Sequence, residues 1–196
     1  MTEKAAKMPK SVKAQITRAS LVVAAAAILR GQGPSAVTYR RVAEWAGASS
    51  SSVGYYFESI SELLSEAAQH NITIWAQRAE RVAIEAARLT PEECAENIVD
   101  LLLRACIPED LVVPAAHYAQ LINAAESDVV THAYRSGCIR IAIAISAILD
   151  HAQIAMPASV VTAIVDGSAV KAISEDSDVW ETARTCLTEA IQAYQA

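Results

Sequence analysis

The sequence predicts an all-α fold, and three observations predict it. Apolar residues recur at spacings of three and four along almost the whole chain, strict alternation over a strand length is hard to find, and 196 residues contain only 6 glycines and 6 prolines. With 53% hydrophobic residues there is material for a substantial core, in one or two compact domains.

The elements follow in order. Ile16, Ala19, Val23 and Ala27 step by three, four and four, giving a first helix from Lys13 to Arg30 that ends at Gly31, Gly33 and Pro34. Thr38 is the expected N-cap of a short helix through Ala46, with Val42, Ala43 and Ala46 inward and Gly47 as the turn. Ser49 caps a brief third helix with Val53 and Phe57 on its buried side, and a long fourth helix starts near Ser59 or Ser61 and runs towards Arg88. Thr90-Pro91-Glu92-Glu93 then opens a helix with the stripe Cys94, Ile98, Leu101 and Ala105, broken at Pro108. A helix from about Glu109 to Ala125 carries Val112, Ala115, Ala119 and Ile122, and Ser127 or Asp128 caps a long one to about Gln153. The last two helices follow Pro157 and Asp178. The apolar stretches Ile139 to Leu149 and Val160 to Ile173 are rich enough to form a subunit interface, the alternative being a purely internal core.

Charge divides the chain. The net charge of -6 speaks against a polyanion partner until it is resolved along the sequence: residues 1–60 carry +5 and the remainder -11. A basic head on an acidic body suits a nucleic-acid-binding module joined to a part with another task. Lys4 to Lys13 either add DNA contacts or serve as a solubilising tail. Lys4 to Arg18 followed by the apolar run Leu21 to Leu29 has the outline of a secretory leader, but the helical period begun at Ile16 continues through it, and no apolar stretch reaches the ~20 residues that span a bilayer. A cytoplasmic protein with no membrane partner is expected. Cys94, Cys106, Cys138 and Cys186 are widely spaced without a CxxC pair and read as reduced core residues. His70, His117, His132 and His151 lack close ligand spacing, so neither a metal nor a cofactor is expected.

The stretch that carries chemistry is Val37 to Phe57: two short helices joined through a glycine, a basic pair Arg40-Arg41 on the first, and Ser49 to Ser52 with Tyr55 and Tyr56 on the second. These are the ingredients of a helix-turn-helix. Ala43 and Gly47 are expected to let the helices cross closely, the serines offer donors and acceptors to base edges or phosphates, and the tyrosine hydroxyls reach phosphates.

On these residues, with Ile16, Ala19, Gly33, Thr38, Val42, Ala48, Ser59 and Leu63, the segment from Ile16 to about Ala67 resembles the DNA-binding domain of the tetracycline-repressor (TetR) family of transcriptional regulators. Asp166-Gly167 in the penultimate helix also resembles a recurrent feature of that family. The resemblance implies an N-terminal three-helix helix-turn-helix domain (1–60, with its basic tail) and a C-terminal helical ligand-binding and dimerisation domain (61–196). It implies a homodimer on a palindromic double-stranded DNA operator, in most cases a repressor released by a small organic molecule. Thr38, Tyr55 and Tyr56 would hold phosphates, Arg40 would reach a base, and Ser50 and Ser52 would face the groove; Tyr39 and Ser49 complete the candidate contact set. One departure is Ile60, where the family usually has a backbone-contacting lysine. The alternative reading is therefore a helical interaction module of the same fold that has lost specific operator binding. No local signature points to an enzyme. In the second domain Trp75, Cys106, His117, Tyr118, Asn123, Tyr134 and Cys138 are polar or aromatic residues set among apolar ones, the composition of a pocket for a drug-sized ligand.

Overall fold

The structure, a computed structural model, describes residues 11–108 and 114–195. Its described elements are helical: α1 Val12–Gln32, α2 Tyr39–Ala46, α3 Ser50–Tyr56, α4 Ile60–Ala86, α5 Pro91–Glu96, α6 Ile98–Cys106, α7 Pro114–Asn123, α8 Asp128–His151, α9 Ala158–Ser174 and α10 Val179–Gln195, with single 3-10 turns at Pro34–Ala36 and Ala124–Glu126. Two compact units result. One takes the chain as far as Ile72 together with Ala119–Tyr134; the other comprises Thr73–Tyr118 and Arg135 onward. The division falls inside α4, and a segment from the middle of the sequence joins the first unit.

The caps expected at Thr38 and Ser49 form: Thr38 accepts from the Arg41 N–H at 3.3 Å and Ser49 from Ser52 at 3.1 Å, while α1 starts one residue earlier than expected, capped by the Ser11 hydroxyl accepting from the Ala14 N–H at 3.2 Å. Thr90 and Glu93 make a reciprocal capping box at 3.2 and 2.9 Å. The helix expected after Thr90 is interrupted at Asn97, whose side-chain amide donates back to the Glu93 carbonyl at 2.8 Å and whose backbone leaves the helical region at φ -101, ψ 8. Gly47 adopts the left-handed region at φ +63, with open space where a Cβ would lie. Its role is the turn itself, not the close helix crossing expected of it.

Two apolar stripes face the opposite way from the sequence expectation. On α1 the buried face is Leu21, Val22, Ala24, Ala25, Ala26, Ile28 and Leu29, whereas Ile16 is 62% exposed and Val23 and Ala19 are exposed with it. On α7, Ala115, Ala119 and Ile122 are exposed, while Tyr118 and Gln120 are buried. A helix apolar nearly all round has no unique inward face in its periodicity, so packing partners decide it. Being alanine-rich and apolar, α1 is long and hydrophobic enough to cross a membrane by length and composition, contrary to the reading that no stretch reaches that length; a third of its most apolar window is buried in the fold. Glu109 and Val112, placed in a helix from the sequence, lie outside the described residues, as do Lys4, Lys7 and Lys10.

In the first unit Arg18 ties α1 to α4 through a two-pronged ion pair with Glu66, one prong at 2.6 Å, and a 3.5 Å contact with Glu62. Its guanidinium also lies over the Phe57 ring, 4.6 Å from the centroid, at the C-terminal end of α3. Fully buried Asn71 of α4 donates to the Ala26 carbonyl at 3.1 Å and accepts from Arg30 at 2.6 Å. Gly33, at φ +80, has the Asn123 side chain 3.5 Å from the position of a Cβ, which brings Ala119–Tyr134 into this unit.

In the second unit the latter half of α4 is held by paired ion contacts, Arg104 on Glu85 at 2.9 and 2.7 Å and Arg140 on Glu80 at 2.9 Å twice. Leu101, Leu102 and Leu103 of α6, Ile145, Ile148 and Leu149 of α8, and Val161, Val165, Leu187 and Ile191 of α9 and α10 are buried and supply its core. Arg18→Ala removes the ion pair and the ring contact together, and should destabilise the first unit by about 1–2 kcal/mol. Urea denaturation followed by the N-terminal tryptophan, Trp45, checks this, and an unchanged midpoint would show that the clamp is energetically idle.

Candidate nucleic-acid interface and ligand cluster

The helix-turn-helix is built from α2, the Gly47 turn and α3. Val42, Ala43, Val53 and Phe57 are buried at 0–2% exposure and pin the two helices onto the unit. Their opposite faces carry the candidate contacts. Thr38 and Arg40 are exposed at the start of α2, and Arg40 makes no hydrogen bond or ion pair with the described residues. Arg41, its neighbour, is turned inward: it donates to the Ala36 carbonyl at 3.3 Å and to Gln32 Oε1. Ser50 is exposed at the first turn of α3, and the Ser52 hydroxyl is shared with Ser49 at 2.7 Å. Tyr55 is 77% exposed, with Tyr56 half-buried edge-on to it at 5.1 Å.

Tyr39 is half-buried and its hydroxyl donates to the Phe57 carbonyl at 3.1 Å. Burial, and then the charge of Glu62, push its pKa above the usual phenol value, so the proton stays within the domain. Arg18, one of the eight cations that made the head basic, is engaged with Glu66 and Glu62. Ile60, half-buried, is the first residue of α4, whose start is fixed by the Ser59 hydroxyl accepting from the Glu62 N–H at 3.1 Å and by Glu62 accepting from the Glu58 N–H at 2.7 Å.

The seven pocket candidates divide between the units. Asn123 and Tyr134 belong to the first, where Asn123 covers Gly33 and the buried Tyr134 hydroxyl is hydrogen-bonded to Gln120. The other five gather in the second. Trp75 and His117 lie edge-on with centroids 4.7 Å apart, and His117 and Tyr118 edge-on at 5.1 Å. Burial, with Arg78 nearby, holds the His117 pKa down to about 4, so its ring is neutral at neutral pH. Arg78 itself donates to the Cys106 carbonyl at 2.8 Å and the Ala105 carbonyl at 3.4 Å, at the negative end of α6.

Sequence reasoning left out two members of this cluster, Arg78 and Asp166. Asp166 of α9 lies within electrostatic range of Cys106, Tyr118 and Cys138, and its charge raises the pKa of all three. Burial pushes the Cys106 thiol up to about 12 and raises Cys94 and Cys138 as well, which leaves these thiols protonated and poorly nucleophilic. Among the described residues no three of His, Cys, Asp and Glu gather as a metal site.

Asp166 keeps exposed surface, as does Cys138, yet surrounding protein raises its carboxyl pKa to about 6 by desolvation. Because the folded-state pKa lies above the unfolded value, the group favours folding at pH below about 4, and that contribution is lost as pH rises through about 6. Asp166→Asn should therefore raise the melting temperature above about pH 7, with the gain fading below about pH 5. Thermal melts across that range read it directly, and a gain that does not depend on pH would contradict the assignment.

Comparison with known proteins places this geometry. Residues 21–67 match the family model described as bacterial regulatory proteins, tetR family. No curated protein sequence matches the chain significantly. Among solved structures, the chain is similar to a transcriptional regulator from Rhodococcus sp. Rha1 (21% identity, TM-score 0.69, 90% of this chain and 96% of that one). It is also similar to a TetR transcription regulator from Haloarcula marismortui (22%, 0.67, 91% and 98%) and to a transcriptional regulator from Saccharomonospora viridis solved in complex with choline (18%, 0.68, 91% and 96%). Residues 21–67 thus match the domain described as bacterial regulatory proteins, tetR family, and the chain has the fold of solved transcriptional regulators over nine-tenths of its length.

Proposed function

We propose that the protein is a cytoplasmic, ligand-responsive repressor that binds a palindromic operator as a homodimer and is released by a small organic molecule. The observation that carries this is the outward face of α2 and α3, where Thr38, Arg40, Ser50 and Tyr55 are exposed on a rigidly capped pair of helices and Tyr56 is partly so. Arg40 supplies a base-edge donor, and Thr38, Tyr55 and Tyr56 supply phosphate contacts. Ile60 removes one further phosphate contact and lowers the salt dependence by about one unit without removing the recognition surface.

The dimer contact is assigned to α9 and α10. Their outer surface forms a shallow groove lined by Ala163, Ile164, Gly167, Lys171, Glu189 and Ala190, in which small residues permit close helix approach. A second copy of this chain covers that groove. The α8 stretch expected to share the interface has Ile139 and Ile143 exposed, while Ile145, Ile148 and Leu149 lie inside the protomer. The ligand signal is assigned to α4, one continuous helix that begins beside α3 and crosses the unit boundary at Ile72. Half-sites on DNA lie ~34 Å apart, so helix shifts of ~1–2 Å are enough to spoil simultaneous docking.

Selection of bound fragments from genomic DNA tests the reading. A palindrome is expected, with Arg40→Ala weakening the best fragment by about 1–3 kcal/mol and relaxing preference at one base position. Sequence-blind binding that vanishes at physiological salt favours instead the interaction module without operator specificity. Gly167→Arg places its side chain in space that is empty around a single protomer, so that variant should fold normally and sediment as a monomer. A variant that remains dimeric would move the interface elsewhere.

A further inference from the structure

Arg40 and Arg41 stand side by side at the start of α2, and adjacent residues on a helix project about 100° apart. Arg40 is exposed, whereas half-buried Arg41 is turned onto the connector that runs from the end of α1 to the N-cap of α2. Its guanidinium donates at two points along that connector, to the Ala36 carbonyl at 3.3 Å and to Gln32 Oε1, and its backbone N–H donates to the Thr38 hydroxyl oxygen at 3.3 Å. The connector's own backbone bonds are local, Ala36 N–H to the Gly33 carbonyl at 3.3 Å and Val37 N–H to the Pro34 carbonyl at 3.1 Å. The chain enters it through Gly33 at φ +80, ψ 174, one of many conformations open to a glycine. Backbone preference therefore does not fix the path, and side-chain contacts must.

We propose that Arg41 is a positioning residue for the DNA-reading face: it locks the connector from Gln32 to Thr38 onto α2 and so fixes the direction in which Thr38 and Arg40 meet DNA, without touching DNA itself. Composition makes the two arginines equivalent members of a basic pair, and their partners separate them. A planar guanidinium holds two acceptors at once in a fixed fork, whereas an ammonium is a point donor on a flexible stem, so this site uses arginine for its shape as well as its charge. The Thr38 oxygen accepts from the Arg41 N–H, which leaves the one hydroxyl hydrogen to donate to a phosphate oxygen. Where that donor points depends on where the cap is held, and the base-edge reach of Arg40 starts two residues further along the same first turn. Releasing the connector therefore misdirects a phosphate contact and a base contact together. The proposal rests on the operator-binding reading for its functional meaning, but the lock is a property of the free protein.

The test compares Arg41→Lys, Arg41→Met and Gln32→Met in the full chain, on the palindrome recovered by fragment selection and on unrelated DNA, across salt. Operator affinity should fall roughly five- to tenfold in all three, Arg41→Lys included although it keeps the charge, while affinity for unrelated DNA and the salt slope stay at wild-type values. Combining Arg41→Met with Gln32→Met should cost no more than Arg41→Met alone, because both break the same tie. Without DNA, amide hydrogen exchange should quicken at Val37 and Val42, the backbone donors to Pro34 and Thr38, with α4 protected as in the wild type. Full operator affinity in Arg41→Lys, together with a salt slope lowered by about one in Arg41→Met, makes Arg41 a phosphate contact and overturns the proposal. Wild-type operator affinity in Gln32→Met overturns it too, as does an affinity loss with unchanged exchange at Val37 and Val42. Protection lost throughout the unit would make Arg41 a general stabiliser and would equally reject the positioning role. If the wild type selects no palindrome, the operator reading fails on that result alone. The lock is then judged by the exchange data and by the salt slope on unrelated DNA, which Arg40→Met should lower and Arg41→Met should not.

Discussion

Presentation of α3 depends on one arginine. A seven-residue helix has too few internal hydrogen bonds to hold itself in place, so its orientation must be imposed by what its ends and buried side touch. Arg18 meets that need from α1: Glu62 and Glu66 of α4 hold its guanidinium, and the Phe57 ring at the end of α3 lies against it. Tyr39 closes the other side by donating to the Phe57 carbonyl, so α1, α2, α3 and the start of α4 meet at one residue. Two side chains that would count as DNA-facing by charge and hydroxyl chemistry, Arg18 and Tyr39, thus act inside the domain. The free polar surface is narrower than composition suggests, and it is concentrated at Thr38, Arg40, Ser50 and Tyr55.

How far the fold was legible in the sequence follows from the range of the forces involved. Caps are local: Thr38, Ser49 and Thr90 bond to the backbone three residues on, so each can be read from a handful of neighbours, and the structure has each where the sequence placed it. The face a helix buries is a long-range property. Along α1 the alanines make every side nearly as apolar as the next, and the stripe Ile16–Val23 faces outward because Leu21, Ile28 and Leu29 offer larger surfaces to the interior. The break at Asn97 was masked by a continuous apolar stripe, although the asparagine itself was the available signal.

The candidate sites show the same division. The interface residues on α2 and α3 lie within twenty positions of one another and were legible as a motif. The cluster around Tyr118 draws Trp75 and Arg78, Cys106, Cys138 and Asp166 from four stretches of chain, and nothing in the separations between those stretches announces that they meet. Asn123 and Tyr134 shared the composition of that cluster but not its location, since the contact of Asn123 with Gly33 places Ala119–Tyr134 with the first unit. Asp166 was visible only as half of a dipeptide, and its nearness to Cys106, Tyr118 and Cys138 is a long-range property that no sequence pattern records.

The outward strip on α1 has a practical consequence. Ile16, Ala19 and Val23, with Trp45 of α2 at 61% exposure, line an open apolar groove of about 440 Å³ on the unit that also carries the basic surface. Salt acts on these two features in opposite directions: it screens the charges that hold nucleic acid and keep copies apart, while salting-out anions such as sulfate strengthen apolar association. The ionic conditions that strip contaminating DNA during purification are therefore the ones in which this protein is most prone to stick to itself. Its colloidal behaviour is best managed with chloride at moderate strength and a neutral solubiliser rather than with ammonium sulfate.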